Sequence, residues 1–403
     1  MKRKISMILA IAMVLCLCLS LAACGSSSSS SSSDTGSSSS SGDSASTGDT
    51  TESEYTDTYT LIFTNHDSST SVGEEYCETV LQEISDACGG RIEFQFNPGG
   101  SLFGGGEAVE AVRSGLADLC WNATSITVGV FPISEFLNVP LQGIATAQAG
   151  SKILMEMYET MPEVQEEWDE FYVVELQGNC EAPFSFASKK VETASDFSGL
   201  SIRTAGTAQS AYVSALGASV SSMGTSEVYE AMSKGVVQGM TNDWHNIDCF
   251  SLYETVQYCM DYAVNTTSCF IIMNKDTYNN LDPEAQAAFD SHQNYASDMA
   301  GYYWDSMRFV TGNKMEELGV EIYTPSDELY AYMTSDELTE QMVTWFIEYM
   351  DGFGYDGQAI YDTCSEIAAK YIDEYSPENV YDADNPFYYT EWEGYDAWVA
   401  ANG

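Results

Sequence analysis

Residues 196–242, DFSGLSIRTAGTAQSAYVSALGASVSSMGTSEVYEAMSKGVVQGMTN, set short apolar pieces (Leu200, Ile202; Ala218 to Val220) between helical patterns around Tyr212–Leu216 and Val228–Met232. Alternating strand and helix periods restrict a chain to α/β architecture, because an amphipathic helix is stable only when its apolar stripe covers a sheet face. The stretch reads as strand, loop, helix, strand, helix. Its first strand ends in Arg203. Carboxyl ends of strands face the crevice in such sheets, and a guanidinium offers a planar fork to a carboxylate.

The rest of the chain extends the pattern. Tyr59–Thr64 reads as a strand, Gly73–Cys88 as a helix stopped by Gly89 and Gly90, Arg91–Phe96 as a strand and Gly106–Ser114 as a helix, a βαβα order that points to a parallel sheet. Residues 148–170 read as helix, Tyr172–Gln177 as strand, Ser185–Ser188 as the start of a crossing, and Pro283 to Leu318 as one long helix. From Tyr55 onward the chain exceeds one ordinary core of ~250–300 residues, which suggests two lobes.

Charge narrows the partners. With 61 Asp and Glu against 14 Lys and Arg, the formal charge is −47, which excludes nucleic acid as a partner. Any anion site must be local and built from few cations. Beyond the N-terminus only Arg91, Arg113, Arg203 and Arg308 are arginines. Arg91 starts a strand, Arg113 sits where a helix end favours a cation, and Arg308 lies on a helix face. A salt bridge to a neighbouring acid is the bland alternative for Arg203.

Catalysis has little material. The histidines His66, His245 and His292 form no zinc-holding sequence motif, no G-x-S-x-G elbow occurs, and no cofactor or metal is expected. The glycines at 99–106 fit neither dinucleotide nor Walker loops. Cys77, Cys88, Cys120, Cys180, Cys249, Cys259, Cys269 and Cys364 contain no C-x-x-C pair; mostly buried thiols are expected.

The N-terminus reads as an export signal: Lys2, Arg3 and Lys4, an apolar run from Ile5 to Leu21, then Leu21-Ala22-Ala23-Cys24. A plain secretory signal with an incidental cysteine is the alternative to a lipobox. The serine-rich segment to Glu54 cannot bury a core and is expected to be a tether spanning on the order of 30 Å.

Three linked motifs carry a family resemblance: D-x-x-G-L-x-I-R at Asp196 to Arg203, L-G-A at Leu216 to Ala218, and E-V-Y-x-A-x-x-x-G-V-V-x-G at Glu227 to Gly239. In these, and in stretches from Phe96 to Trp121 and Phe250 to Phe289, the chain resembles the DctP-type substrate-binding subunits of tripartite ATP-independent periplasmic (TRAP) transporters over roughly residues 57–325. The resemblance implies a two-lobed periplasmic-binding-protein-like fold with a ligand cleft between the lobes and a long helix crossing both. It implies lobe one at 55–181 plus 269–308, lobe two at 182–268 plus 309–375, and leaves 376–403 as an acidic, aromatic tail. That tail reads as a surface wrap.

The same resemblance implies capture of an organic acid and its delivery to the small and large TRAP membrane subunits, with Cys24 lipidated and the chain tethered outside the membrane. Arg203 would clamp the substrate carboxylate and Asn242 line the cleft, although the family's D-G-Q-E-N is altered here to Gln238-Gly239-Met240-Thr241-Asn242. Pro183 stands where sialic-acid binders carry a second arginine. With Phe184, Trp121 and Trp244 as expected apolar walls, Thr124 after a lobe-one strand and His66 after the first strand, a monocarboxylate with an apolar or aromatic body is favoured. Rival readings are a binding protein of an ABC importer, against which the motif series speaks, and a surface hydrolase or adhesin, against which the missing nucleophile–base set and repeats speak.

Overall fold

A computed structural model of the chain describes residues 55–381, 384–385 and 388–402. The export signal, Cys24 and the serine-rich tether lie outside the described residues. Among those described, no helix is long and apolar enough to cross a membrane.

Among the described residues eleven strands form two sheets. The strands are β1 (Tyr59–Thr64), β2 (Ile92–Asn97), β3 (Leu119–Ala123), β4 (Phe171–Gly178), β5 (Phe184–Phe186), β6 (Ser201–Thr204), β7 (Ser219–Ser222), β8 (Gly239–Thr241), β9 (Tyr258–Met260), β10 (Ser268–Asn274) and β11 (Glu321–Tyr323). The first sheet has the order β2-β1-β3-β10-β4 and the second β11-β9-β5-β8-β6-β7. The helices are α1 (Val72–Ala87), α2 (Gly105–Arg113), α3 (Ala147–Thr160), α4 (Pro162–Trp168), α5 (Gly206–Ala215), α6 (Thr225–Ser233), α7 (Trp244–Cys249), α8 (Lys275–Asn279), α9 (Pro283–Glu317), α10 (Asp327–Met333), α11 (Asp336–Phe353), α12 (Gly357–Ala368), α13 (Pro377–Val380) and α14 (Tyr395–Asn402).

Three local expectations are corrected. The first sheet is mixed, because β10 returns from the second sheet and enters antiparallel to both β3 and β4. The helix expected at 148–170 is two helices. Met161 takes an extended backbone before Pro162, as a residue preceding proline prefers. The segment Ser185–Ser188, expected as the start of a crossing, begins inside β5 (Phe184–Phe186), which pairs antiparallel with both β8 and β9.

The fold is two-lobed, and the longest helix ties the lobes together. Asp282 caps α9 by accepting from the Glu284 and Ala285 amides, and Pro283 at its first turn gives up no needed donor. The 35 residues of α9 rise about 50 Å, enough to pack on α1, α3 and β4 and then on α7 and β11. Close approach of α3 to β4 depends on Gly178, where a Cβ would lie 2.6 Å from the Ala147 carbonyl oxygen. Two apolar clusters run through both lobes, one joining Leu154 and Phe270 to Ile202 and Tyr212, the other joining Val80 and Trp304 to Met240 and Trp244.

The C-terminal residues wrap around α9. Trp392 Nε1 donates to the Tyr295 hydroxyl at 3.0 Å, Trp398 Nε1 donates to Asp298, and the Tyr395 ring stacks on His292 at 3.8 Å. All eight described cysteines are free thiols, and only Cys249 is more than marginally exposed.

Candidate functional site

Strand β6 carries Arg203 into the space between the two sheets, where only 2% of its surface is exposed. Every guanidinium nitrogen has a neutral acceptor. Nε and Nη2 donate to the Met223 carbonyl at 3.1 and 3.0 Å, Nη2 to Thr225 Oγ1 at 3.2 Å, and Nη1 to the Thr241 carbonyl at 3.2 Å and Asn242 Oδ1 at 2.6 Å. The acceptors come from the end of β8 and the residue after it, and from the turn after β7 into the first residue of α6, so the strand ends themselves build the cradle.

Among the described residues no carboxylate hydrogen-bonds or ion-pairs with this cation. Every other lysine and arginine among the described residues sits in an ion pair: Arg91 with Asp282, Arg113 with Glu170, Arg308 with Glu181, and the lysines with Asp298, Asp196, Glu321, Glu230, Asp169, Asp248 and Glu156. Burial pulls the Arg203 guanidinium down to about 10, offset in part by the field of Asp243. A buried cation without a counter-ion is costly. In a chain of 61 acidic residues, this is the one lysine or arginine among the described residues that is left without an ion pair.

Arg203 opens onto a cavity shared by both lobes. The first lobe contributes His66, from the loop after β1, and Trp121, Ser125 and Ile126 from the end of β3; the second contributes Arg203, Gln209, Thr225, Asn242, Asp243 and Asn246. His66 lies 5.4 Å from the Trp121 ring, which in turn stacks on Trp304. Burial lowers the imidazole of His66 despite the nearby Asp67, so it presents a neutral ring near pH 7. The indole Nε1 of Trp121 and Nδ1 of His66 are buried without a hydrogen-bond partner. Free volume here is about 20 Å³, room for little more than one water. Roomier hollows lie elsewhere, such as one of about 390 Å³ under the C-terminal residues, but its lysine, Lys152, is already paired with Asp298.

Three residues expected at the cavity lie away from its lining. Phe184 is fully buried against Phe186, Phe197 and Tyr262, because its parity on β5 turns it into the core. Trp244 is directed instead to Glu181, to which its Nε1 donates at 3.1 Å, with the Arg308 guanidinium over its ring. Thr124 Oγ1 is spent on the Ser268 carbonyl and on Asn138. Arg203, Asn242, Trp121 and His66 are brought together.

One cluster was not foreseen. His245 Nε2 meets Asp67 Oδ2 at 2.8 Å, bridging the lobes, and Cys249 lies beside both. Burial alone would depress His245, yet the Asp67 carboxylate outweighs it and holds the imidazole well above its ordinary value. The signal available in the sequence was the spacing His245-x-x-x-Cys249, one helical turn; the 178 residues separating Asp67 from His245 hid the third member.

The family of bacterial extracellular solute-binding proteins, family 7 (DctP), matches residues 63–343. The chain belongs to this DctP family. It is therefore a transport solute-binding protein of the TRAP type, not an enzyme. Relatives include the uncharacterized protein y4mM of Sinorhizobium fredii, 25% identical over 43% of this chain, which spans only 32% of y4mM. The 2,3-diketo-L-gulonate-binding periplasmic protein YiaO of Escherichia coli is 22% identical over 71% of this chain and 85% of its own length. Among solved structures, a marine-metagenome TRAP solute-binding protein specific for aromatic acid ligands, in complex with 3-hydroxybenzoate, superposes with a TM-score of 0.73. Its identity is 23%, over 78% of this chain and 99% of its own. DctP relatives of this kind share the two-lobed fold with the present chain.

Proposed function

We propose that this DctP protein captures a monocarboxylic acid between its lobes, with Arg203 as the carboxylate clamp, and delivers it to the membrane subunits of a TRAP transporter. The observation that carries the reading is the unpaired burial of Arg203 in a strongly acidic chain. An incoming carboxylate would take Nη1 and Nη2 from Asn242 Oδ1 and Thr225 Oγ1, replacing neutral acceptors with charge-assisted bonds. A ring seated against Trp121 and His66, with a hydroxyl meeting the unpartnered Trp121 Nε1 or His66 Nδ1, describes a hydroxylated aromatic acid. The 3-hydroxybenzoate complex of the aromatic-acid binder is of that class. A second reading, an aliphatic polyhydroxy acid, is supported by the amides and hydroxyls of Asn179, Gln209, Asn246 and Thr267 in the same lining.

The division into lobes at 55–181 plus 269–308 and 182–268 plus 309–375 makes the two connections around 179–183 and 261–267, with α9, the hinge. Lipidation at Cys24 and the tether to Glu54 would keep the protein over its membrane partners on the outer face. Replacing Cys24 by Ser should move the protein from the membrane fraction into the soluble fraction; wild type that is already soluble removes the anchor.

The ligand reading is tested by thermal shift with a panel of aromatic acids, sugar acids and amino acids. One acid class should raise the midpoint unconsumed, since a ligand at 100 times its dissociation constant adds about 2.7 kcal/mol. A shift produced only by uncharged sugars would overturn the carboxylate clamp.

A further inference from the structure

We propose that Asp67, His245 and Cys249 form a divalent-metal site of the zinc class, closed across the two lobes. The donor atoms of these three side chains all lie within 4.8 Å of one another, and they are an oxygen, an imidazole nitrogen and a sulfur, a donor set suited to zinc. His245 and Cys249 stand one turn apart on α7, so both face the same point, while Asp67 arrives from the loop after β1. Tetrahedral zinc, with bonds of ~2.0 Å to nitrogen and oxygen, sets those two atoms about 3.3 Å apart. Opening the 2.8 Å contact between Asp67 Oδ2 and His245 Nε2 by about half an ångström fits that pair to the ion, and Cys249 Sγ, within 4.8 Å of both, has to settle at a Zn–S distance of ~2.3 Å.

Two further observations point to a cation. Asp67 is 0% exposed, yet its buried Oδ1 has no hydrogen-bond partner; the neutral imidazole of His66 stands 3.8 Å from it through Nε2. The site is also left open on one side by Gly73, where a Cβ would lie 2.6 Å from Asp67 Oδ2 and 2.9 Å from His245 Nε2. Any larger residue would fill the cradle. With three protein donors, the fourth position of a tetrahedral ion is left to water.

Because its donors come from both lobes, the site is complete only when the lobes are together. Metal and organic acid would then favour the same closed arrangement, and each would tighten binding of the other by the same factor. The ion takes a thiolate and a neutral imidazole, so metal uptake displaces the protons of both Cys249 and His245 to solvent.

Cobalt(II) and zinc(II) alone test the proposal on the full chain. Wild type should take up cobalt with the intense visible bands of a four-coordinate ion and a near-ultraviolet thiolate charge-transfer band, and zinc should displace it. Cys249→Ser should abolish the charge-transfer band and weaken zinc at least tenfold, while Cys364→Ser, in a distant buried thiol, should keep both. Should Cys249→Ser fold poorly by circular dichroism, Gly73→Ala serves instead, since its methyl would occupy the cradle and lower zinc affinity with every donor retained. Wild type that binds neither metal, or a charge-transfer band that persists in Cys249→Ser, would overturn the site and leave the trio as a hydrogen-bonded contact between lobes. Acid binding through Arg203 is measured separately without metal, so failure here leaves that reading standing.

Discussion

Arg203 Nη1 donates to Asn242 Oδ1 across 2.6 Å, so the guanidinium in the cleft is held by an amide where every other arginine among the described residues is held by a carboxylate. The amide satisfies the donor without neutralising the charge. Under the proposed clamp, an external carboxylate displaces it with a net gain, which an internal aspartate would not allow.

Asn242→Asp should convert the site into a self-filled one. A carboxylate at this distance pairs with Arg203 directly, raises the unfolding midpoint, and lowers affinity for the organic acid at least tenfold, since charge-assisted bonds are worth about 1.5–3 kcal/mol. Titration calorimetry beside thermal denaturation checks both effects. Undiminished affinity in this variant would place the ligand elsewhere.

The free volume of about 20 Å³ beside Arg203 is too small for an organic acid, so the lobes must part to admit one. Small-angle scattering should give a larger radius of gyration without ligand than with it. Identical profiles at saturation would argue for a rigid pocket rearranged only in its side chains.

Asp305 on α9 holds the start of α3, accepting from the Ala147 and Gln148 amides. Burial, opposed by those bonds, pushes its carboxyl up to about 8. The folded protein then keeps a proton that the unfolded chain loses near pH 4. The contribution of Asp305 to stability is full below about pH 4 and falls as pH rises through about 8, by up to about 1.4 kcal/mol per pH unit. Asp305→Asn keeps an acceptor and cannot titrate, so the stability difference between variant and wild type should grow in the variant's favour from pH 5 to 8. A difference that stays flat across this range would show that Asp305 ionises normally.

Trp392 gives its indole N–H to Tyr295 and packs beside Tyr302. Trp392→Ala should cost about 1–3 kcal/mol of stability without changing acid affinity, as measured by urea denaturation and calorimetry. Lost affinity at unchanged stability would make the C-terminal segment part of binding instead of a cover for α9.

Strands and helices were legible where period and punctuation agree. Tyr59–Thr64 alternates and is followed by a helix that ends at paired glycines, and both elements stand within a residue of their expected bounds. The antiparallel entry of β10 was not legible, because strand direction depends on which lobe the chain returns from. Arg203 could be read because strand ends in α/β sheets converge on a crevice. Phe184 and Trp244 could not. Which face of β5 meets the core is a matter of parity against β8 and β9, and the direction of Trp244 follows from Glu181 and Arg308, both far away in sequence.

The most direct measurement is calorimetric titration of wild type, Arg203→Ala and Arg203→Lys with the acid that the panel identifies, starting from 3-hydroxybenzoate. If Arg203 is the carboxylate fork, Arg203→Ala leaves the buried anion unpaired and loses roughly 2–5 kcal/mol of binding, while Arg203→Lys keeps the charge, loses the planar pair, and recovers only part of it. Near-equal affinity in all three proteins, with only the unfolding midpoint lowered, would contradict the account and make Arg203 a structural residue.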